Sequence, residues 1–461
     1  MTVMRSPYQL ELDLPIPDLG EARRRNGREI EAAAATTEPE SPASTEQLME
    51  AICNSDNIEV ALQSVVRNKG APGIDGITVK QLPGILKARW REIEGQLLQG
   101  RYQPQPVRRV QIPKPDGGGV RNLGIPTTID RVIQQAILQR LQPLWDPTFS
   151  EHSYGFRPGR SAHQAVTQAQ AYVIEGYRFV VDIDLAKFFD RVNHDRLMAA
   201  VAARVSDRRV LRLIRSYLTA GVLHNGLFEE SRDGTPQGGP LSPLLSNLVL
   251  DELDRELERR SHRFVRYADD CNIYVRSEKA GRRVMASLTR FIERRLKLQI
   301  NTEKSAVARP WHRSFLGFTV KDDPGFRRCI ADKAVTRFKD RVRELTRRHR
   351  GVSLEKMIAD LNPFVRGWAG YFGFSQWREL PSLDGWIRRR LRCVVWVQWK
   401  TRGQRYRELR RLNVPERSAS AAIFSPKGPW RLSSSEALHR AFTKARFRRL
   451  GLLSMEKLVN A

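Results

Sequence analysis

The chain has 461 residues, enough for about three domains and at least one sizeable core, and it carries 79 Lys and Arg against 51 Asp and Glu, a formal +28 with a pI near 10.6. That excess is the footprint of a polyanion binder, with nucleic acid the leading partner. No apolar run approaches roughly 18 to 20 residues, the start lacks a basic-then-apolar signal pattern, and Cys53, Cys271, Cys329 and Cys393 stand singly, which sets aside a membrane span, a secretory signal, a disulfide framework and a paired-cysteine zinc site.

Residues 1–50 hold 5 Lys/Arg and 10 Asp/Glu, a net of −5, so residues 51–461 carry +33 of the total. With its Ala/Thr/Pro/Ser-rich run "AAAATTEPESPASTE" and few large apolars, the start reads as a disordered leader over 1–48. From Thr45 to Asn68 an amphipathic helical pattern (Leu48, Ile52, Ile58, Leu62, Val65, Val66) leads into the turn cluster "NKGAPGIDG". "VRRVQIPKPDGGGVRNLGIP" reads as two extended segments joined by a Pro-Asp-Gly-Gly-Gly turn. Lys114 and Arg121 sit on opposite arms of it, a point charge and a planar fork suited to a triphosphate, although a solvated hairpin is the plainer alternative. "DRVIQQAILQRLQPLW" is a helix with Asp130 as its N-cap. "SYGFRPGRSAHQA" puts Arg157 and Arg160 just before a helix capped by Ser161. Donors and dipole there favour phosphate, unless the segment is an ordinary helix start.

"RFVVDIDLAKFFD" is a short alternating strand with Asp182 and Asp184 on one face. "TPQGGPLSP" follows, its paired glycines letting backbone approach a ligand or a nucleic-acid strand closely, or merely turning the chain before a helix. "SPLLSNLVLDELDRELERR" is that helix, apolar first and charged later. "RFVRYADDCNIYVRS" then sets Asp269 and Asp270 inside a β-favouring segment. Two adjacent carboxylates repel, so they call for a metal, a basic partner or solvent. An exposed hairpin turn would satisfy them; so would convergence with Asp184 on two Mg²⁺ ions, the hard-oxygen arrangement of phosphoryl transfer. Strands and helices alternate from about 107 to 325 without a regular βαβ cadence, which predicts an α+β fold.

After about 326 the chain turns to basic helices. Phe364, Trp368, Tyr371 and Phe372 recur at helical spacing, as do Trp386, Leu391 and Trp396, a pattern that favours helix-packing core over base stacking. Arg388, Arg389, Arg390 and Arg392 surround the second helix with charge. Residues 381–461 hold 19 Lys/Arg and 5 Asp/Glu, a net of +14, as a DNA-contacting segment would.

In their order and spacing, "GAPGIDG", "PKPDGGGVRNLGIP", "SYGFRPGRSAHQA", "DIDLAKFFD", "GTPQGGPLSPLLSNLVLDELD", "YADD", "LKLQINTEKS" and "FLGF" resemble the successive polymerase blocks of the reverse transcriptases encoded by group II introns, also called intron maturases. The resemblance covers roughly residues 68–461. It implies a right-hand polymerase fold, with fingers and an antiparallel palm sheet over 49–325, a helical thumb or maturase domain over 326–400, and a basic DNA-binding segment over 401–461. Asp184, Asp269 and Asp270 match the metal-binding catalytic acids; Asp182 is a near miss, because the first acid of the family precedes the "FFD" acid by six positions. Phe189 matches the aromatic that screens the sugar 2′ position. Lys114 and Arg121 match the triphosphate-holding residues of the fingers, Gln237 and Gly238 the template-facing loop, and Lys304 the basic residue after the palm helix. Arg157, Arg160 and the four arginines at 388, 389, 390 and 392 fall in segments that contact nucleic acid. The paired cysteines and histidines of an endonuclease domain do not follow, as in the endonuclease-lacking branch.

The implied activity is RNA-directed DNA synthesis with two Mg²⁺ ions, on intron RNA, with dNTPs and a DNA primer and target, in the bacterial cytoplasm and at the nucleoid when DNA is bound. The same motifs admit an RNA-binding splicing maturase whose polymerase activity is secondary, or a domesticated or defence-associated reverse transcriptase. The sequence is silent on oligomeric state.

Overall fold

The computed structural model describes residues 45–113, 119–224, 227–229, 234, 238–377 and 379–459. Lys114, Gln237 and nearly all of the expected leader lie outside the described residues. The described part of the chain opens with two short helices, Leu48–Cys53 and Ser55–Arg67, with Asn54 between them accepting from the backbone N–H of Asp56.

The first strands form a small sheet. β1 (Val107–Pro113) pairs antiparallel with β2 (Val120–Ile125), with Ile112 opposite Arg121, so the expected hairpin is present. The helix that follows, Thr128–Trp145, is capped by Thr127 rather than by Asp130. Asp130 lies three residues inside it, its carboxylate accepting from the Thr127 hydroxyl at 2.7 Å and the Tyr102 hydroxyl at 2.9 Å. The buried Asp130 carboxylate is satisfied by these hydroxyls and by the Gln105 N–H at 3.3 Å, while the Thr127 hydroxyl accepts from the Asp130 N–H and so caps the helix.

β3 (Phe179–Ile183) is the centre of the second sheet. β4 (Val222–His224) and β5 (Leu227–Glu229) extend the first, giving the order β2-β1-β4-β5. β6 (Arg263–Tyr267), β7 (Asp270–Val275) and β8 (Ala306–Ala308) complete the second, with the order β6-β7-β3-β8 and every pair antiparallel. This is the α+β architecture of fingers and palm.

Alternation along the palm strands serves two cores. Val181, Ile183, Phe264, Ile273 and Val275 join the large core that reaches back to Leu48, while Val180, Val265 and Tyr274 face a smaller cluster with Tyr154, Tyr172 and Phe318. Residues that pointed outward in a one-sided strand are therefore buried here. The smaller cluster also receives Tyr371, Phe372 and Phe374, and His163 Nε2 lies 2.8 Å from the Tyr371 carbonyl oxygen. Those contacts join the palm to the C-terminal helices. A short β9 (Phe318–Val320) and β10 (Arg328–Ile330) hairpin leads into them.

The C-terminal helices share one core from Ile330 to Met455. Its members include Leu391 and Trp396 from the Glu379–Gln398 helix and Leu438, Phe442 and Phe447 from beyond residue 401. Packing therefore continues across position 400, where the basic segment was expected to begin. Apolar residues between the charges of 401–461 bind it to the thumb helices. Phe364 and Trp368 pack on Phe338, with ring centroids 5.4 and 4.4 Å away, as core rather than stacking surface. All four cysteines are buried and free.

Candidate active site

β6 and β7 are joined by the two residues Ala268 and Asp269, with Tyr267 opposite Asp270 in register. Ala268 has φ +56°, a conformation that glycine adopts freely and alanine does at a cost of about 1 kcal/mol. Tight surroundings hold it there. The extended segment at Ser153 runs beside β6, with the N–H of Tyr154 donating to the Arg266 carbonyl at 2.9 Å. Gly155 then passes so close that a Cβ on it would lie 2.2 Å from the Ala268 nitrogen. Only glycine fits.

Beneath the turn, Arg266 and Asp254 are both fully buried, with Nε to Oδ1 at 2.7 Å and Nη2 to Oδ2 at 2.5 Å. Arg266 also donates to Asn247 Oδ1 at 3.0 Å, to Ser153 Oγ at 2.7 Å and to the Ala268 carbonyl at 2.9 Å. Asn247 in turn donates to the Gly155 carbonyl at 2.9 Å. This network was missed from sequence. Its signal was Arg266 set between Val265 and Tyr267 in the interior of β6, where burial obliges a charge to find partners.

Asp184 follows the end of β3. Its N–H donates to Ser305 Oγ at 3.0 Å and its carbonyl accepts from the Asn301 N–H at 2.8 Å, so backbone on both sides fixes where its carboxylate starts. Asp182, two residues earlier, is already paired: Arg313 reaches its Oδ2 with Nε at 2.8 Å and Nη2 at 2.5 Å. That pair separates the near miss from Asp184.

The acids sense one another. Asp270 stands at the exposed start of β7, yet crowding by the surrounding chain strips water from its carboxylate, and this first, then the charges of Asp269, Asp182 and Asp184, push it up to about 7, with Lys304 pulling it back. Asp269 is raised by burial and by Asp184, while Arg121 on the fingers hairpin and Arg266 pull it down. Arg121, Lys304 and the three acids are thus brought into one electrostatic neighbourhood. Gly238 has φ +132°, and a Cβ there would come 2.9 Å from the Gly124 carbonyl of β2, so Gly238 itself lies against the first sheet. Phe189 is half-buried, its ring centroid 5.2 Å from that of Phe188.

Other expected contacts are placed differently. Arg157 is 9% exposed and spends its donors on the Asp146 carboxylate and carbonyl and on the carbonyls of Ser150 and Ser153. It is a brace for the loop and not a phosphate ligand, because nothing remains to donate. Arg160 donates to the Glu151 carbonyl at 3.1 Å, and Ser161 forms a full capping box with Gln164. Arg390 is tied to Thr346, through Nε to the hydroxyl at 2.8 Å.

Residues 112–320 match the family described as reverse transcriptase (RNA-dependent DNA polymerase), and residues 335–413 match the group II intron maturase-specific domain. The chain is 34% identical to protein YkfC of Escherichia coli, over 57% of this chain and 79% of that one. The chain belongs to the group II intron reverse transcriptase and maturase family. The intron-encoded protein LtrA of Lactococcus lactis is 31% identical over 57% of this chain; the match spans about half of LtrA, 54% of its length. A putative COX1/OXI3 intron 1 protein of Saccharomyces cerevisiae is 30% identical over 44% of this chain and 24% of its own. As a member of this family the chain is an RNA-directed DNA polymerase, and the turn described above lies in its palm.

Reverse transcriptases depend on divalent metal. Among the described residues no group of three or more His, Cys, Asp or Glu stands close enough together to hold a metal ion as it is. The donor set nevertheless fits a hard cation: Asp184, Asp269 and Asp270 offer only oxygen, and their mutual repulsion, seen in the raised Asp270, is what a bound cation relieves. Among the described residues no helix is long and apolar enough to cross a membrane.

Proposed function

We propose that the chain copies the RNA of a group II intron into cDNA and assists that intron's splicing and mobility, with Asp184, Asp269 and Asp270 holding two Mg²⁺ ions. When bound, the ions supply Lewis-acid activation of the primer 3′-hydroxyl and neutralise charge on the triphosphate. The protein supplies the rest. Asp184 reaches the site from β3 and the other two acids from a turn clamped by Arg266, so the oxygens start from fixed backbone. Arg121, with Lys114, binds the triphosphate from the fingers hairpin. Phe189 closes the space beside the sugar 2′ position, while Gln237 and Gly238 take the roles of the family's loop that contacts template and nucleotide. Lys304 adds positive charge behind Asp270.

The observation that carries the reading is the register of β3 against β7, with Ile183 opposite Cys271, which sets Asp184 beside the end of β7 where the Asp269–Asp270 turn begins. Fingers and palm run to about residue 325, and a helical thumb and maturase unit follows whose basic surface binds intron RNA and target DNA. The enzyme works in the bacterial cytoplasm, on the nucleoid when DNA-bound. The deciding experiment is cDNA synthesis on a primed RNA template by the purified chain, with and without Mg²⁺. Synthesis that persists after Asp269→Ala and Asp270→Ala together would overturn the assignment.

A further inference from the structure

The Glu379–Gln398 helix brings Arg388, Arg389 and Arg392 to one side of a cleft of about 300 Å³, closed opposite by His439 and Lys444. Arg392 is 6% exposed. Its Nη1 lies 3.3 Å from the Ser433 carbonyl oxygen and 2.7 Å from His439 Nε2, and its Nε is buried without a partner. Arg389 is held in place, stacked 4.1 Å above the Trp430 ring and donating to the Trp430 carbonyl at 3.2 Å.

No carboxylate lines the cleft. The nearest acids are spent elsewhere: Asp384 accepts from Ser454 Oγ and from the Met455 and Glu456 N–H groups, and Glu436 pairs with Arg440. The cost shows in the cations themselves. Burial and the charges of Arg388 and Arg389 bring Arg392 down to about 10, and burial, Arg392 and Arg388 lower His439. A fold that gathers four cations without an acid, and leaves a buried guanidinium N–H unbonded, has arranged donors for an anion from outside. Guanidinium forks match phosphate oxygens, and the cleft has room for a phosphate with bridging waters, each filling about 30 Å³.

We propose that this cleft binds one phosphate group, with Arg388, Arg392 and Lys444 as its charged ligands and Arg389 as the fixed wall. The proposal rests on the reading of the helical unit as an RNA-binding surface, and adds that one contact on it is a built pocket rather than diffuse charge. The phosphate is either an RNA backbone phosphodiester or a free anion, and two measurements separate them.

The full-length chain is titrated with a labelled single-stranded RNA oligomer at several salt concentrations, and separately with inorganic phosphate while its melting temperature is followed. Arg388→Gln with Lys444→Gln, both accessible positions, is compared with Arg407→Gln with Lys427→Gln, two exposed cations outside the cleft. For a backbone phosphate, the cleft variant loses about tenfold in RNA affinity and its salt slope falls by about 1, more than the control. For a free anion, inorganic phosphate raises the melting temperature of the wild type and not of the cleft variant, while RNA affinity stays level with the control. A cleft variant matching the control in both measurements would overturn the pocket. Wild-type RNA affinity independent of salt would instead overturn the RNA-binding reading beneath it.

Discussion

The guanidinium of Arg266 donates to the carbonyl of Ala268 at 2.9 Å, one residue before Asp269, while its other nitrogens grip Asp254. The turn that carries Asp269 and Asp270 is thus fastened from below by a wholly buried charge. Arg266→Gln would leave Asp254 buried and unpaired, a loss of about 3 to 5 kcal/mol in stability. Arg266→Gln with Asp254→Asn removes the charge imbalance and should recover most of that stability without recovering cDNA synthesis, since the Ala268 carbonyl keeps a weaker donor. Denaturant melts and primer extension on the two proteins check this; full activity in the double variant would show that the clamp is only structural.

Gly155 gives a second handle on the same turn. A Cβ there meets the Ala268 nitrogen at 2.2 Å, and backbone cannot step aside as a side chain would. Gly155→Ala should cost about 1 to 3 kcal/mol and lower kcat by at least about tenfold, with KM for dNTP less affected. Steady-state kinetics at a temperature well below the melting point measure it.

Asp182 and Asp184 differ by two residues and should differ in effect. Asp184→Asn is expected to abolish synthesis. Asp182→Asn breaks a half-buried pair with Arg313, costing about 1 to 3 kcal/mol, yet should retain measurable polymerase activity. Equal loss of activity in the two, with both folded, would contradict the separation.

Acid–base behaviour of Asp270 sets a pH window. Its folded value of about 7 lies above the ordinary carboxylate value of 3.8, so the metal-free native state holds a proton that the unfolded chain has released. That stabilisation is complete below about pH 4 and disappears as pH rises through about 7. Asp270→Asn should therefore melt higher than wild type at pH 8 without metal, with the gap shrinking at pH 5.5, while Mg²⁺ at pH 8 should raise the wild type and leave the variant nearly unmoved. Calorimetry in chelator and in Mg²⁺ reads both effects.

Local pattern and residue order were enough for the family, the α+β class and the β1–β2 hairpin, because polymerase blocks are short, contiguous and carry their chemistry in the residues themselves. Sequence could also set Asp184 apart from Asp182, though only by counting six positions to Asp190. The physical reason for it, Arg313 from 131 residues away on Asp182, needed the fold. Tertiary structure alone decided the rest. A buried arginine looks like a solvated one until its partners are seen, which hid both the Arg266 clamp and the loop brace at Arg157. Likewise the basic stretch after 401 reads as an open DNA-binding segment until its scattered apolar side chains are found in the same core as Ile330. Charge along a chain reports what the whole molecule binds; which charges are free to bind it depends on burial and on partners remote in sequence.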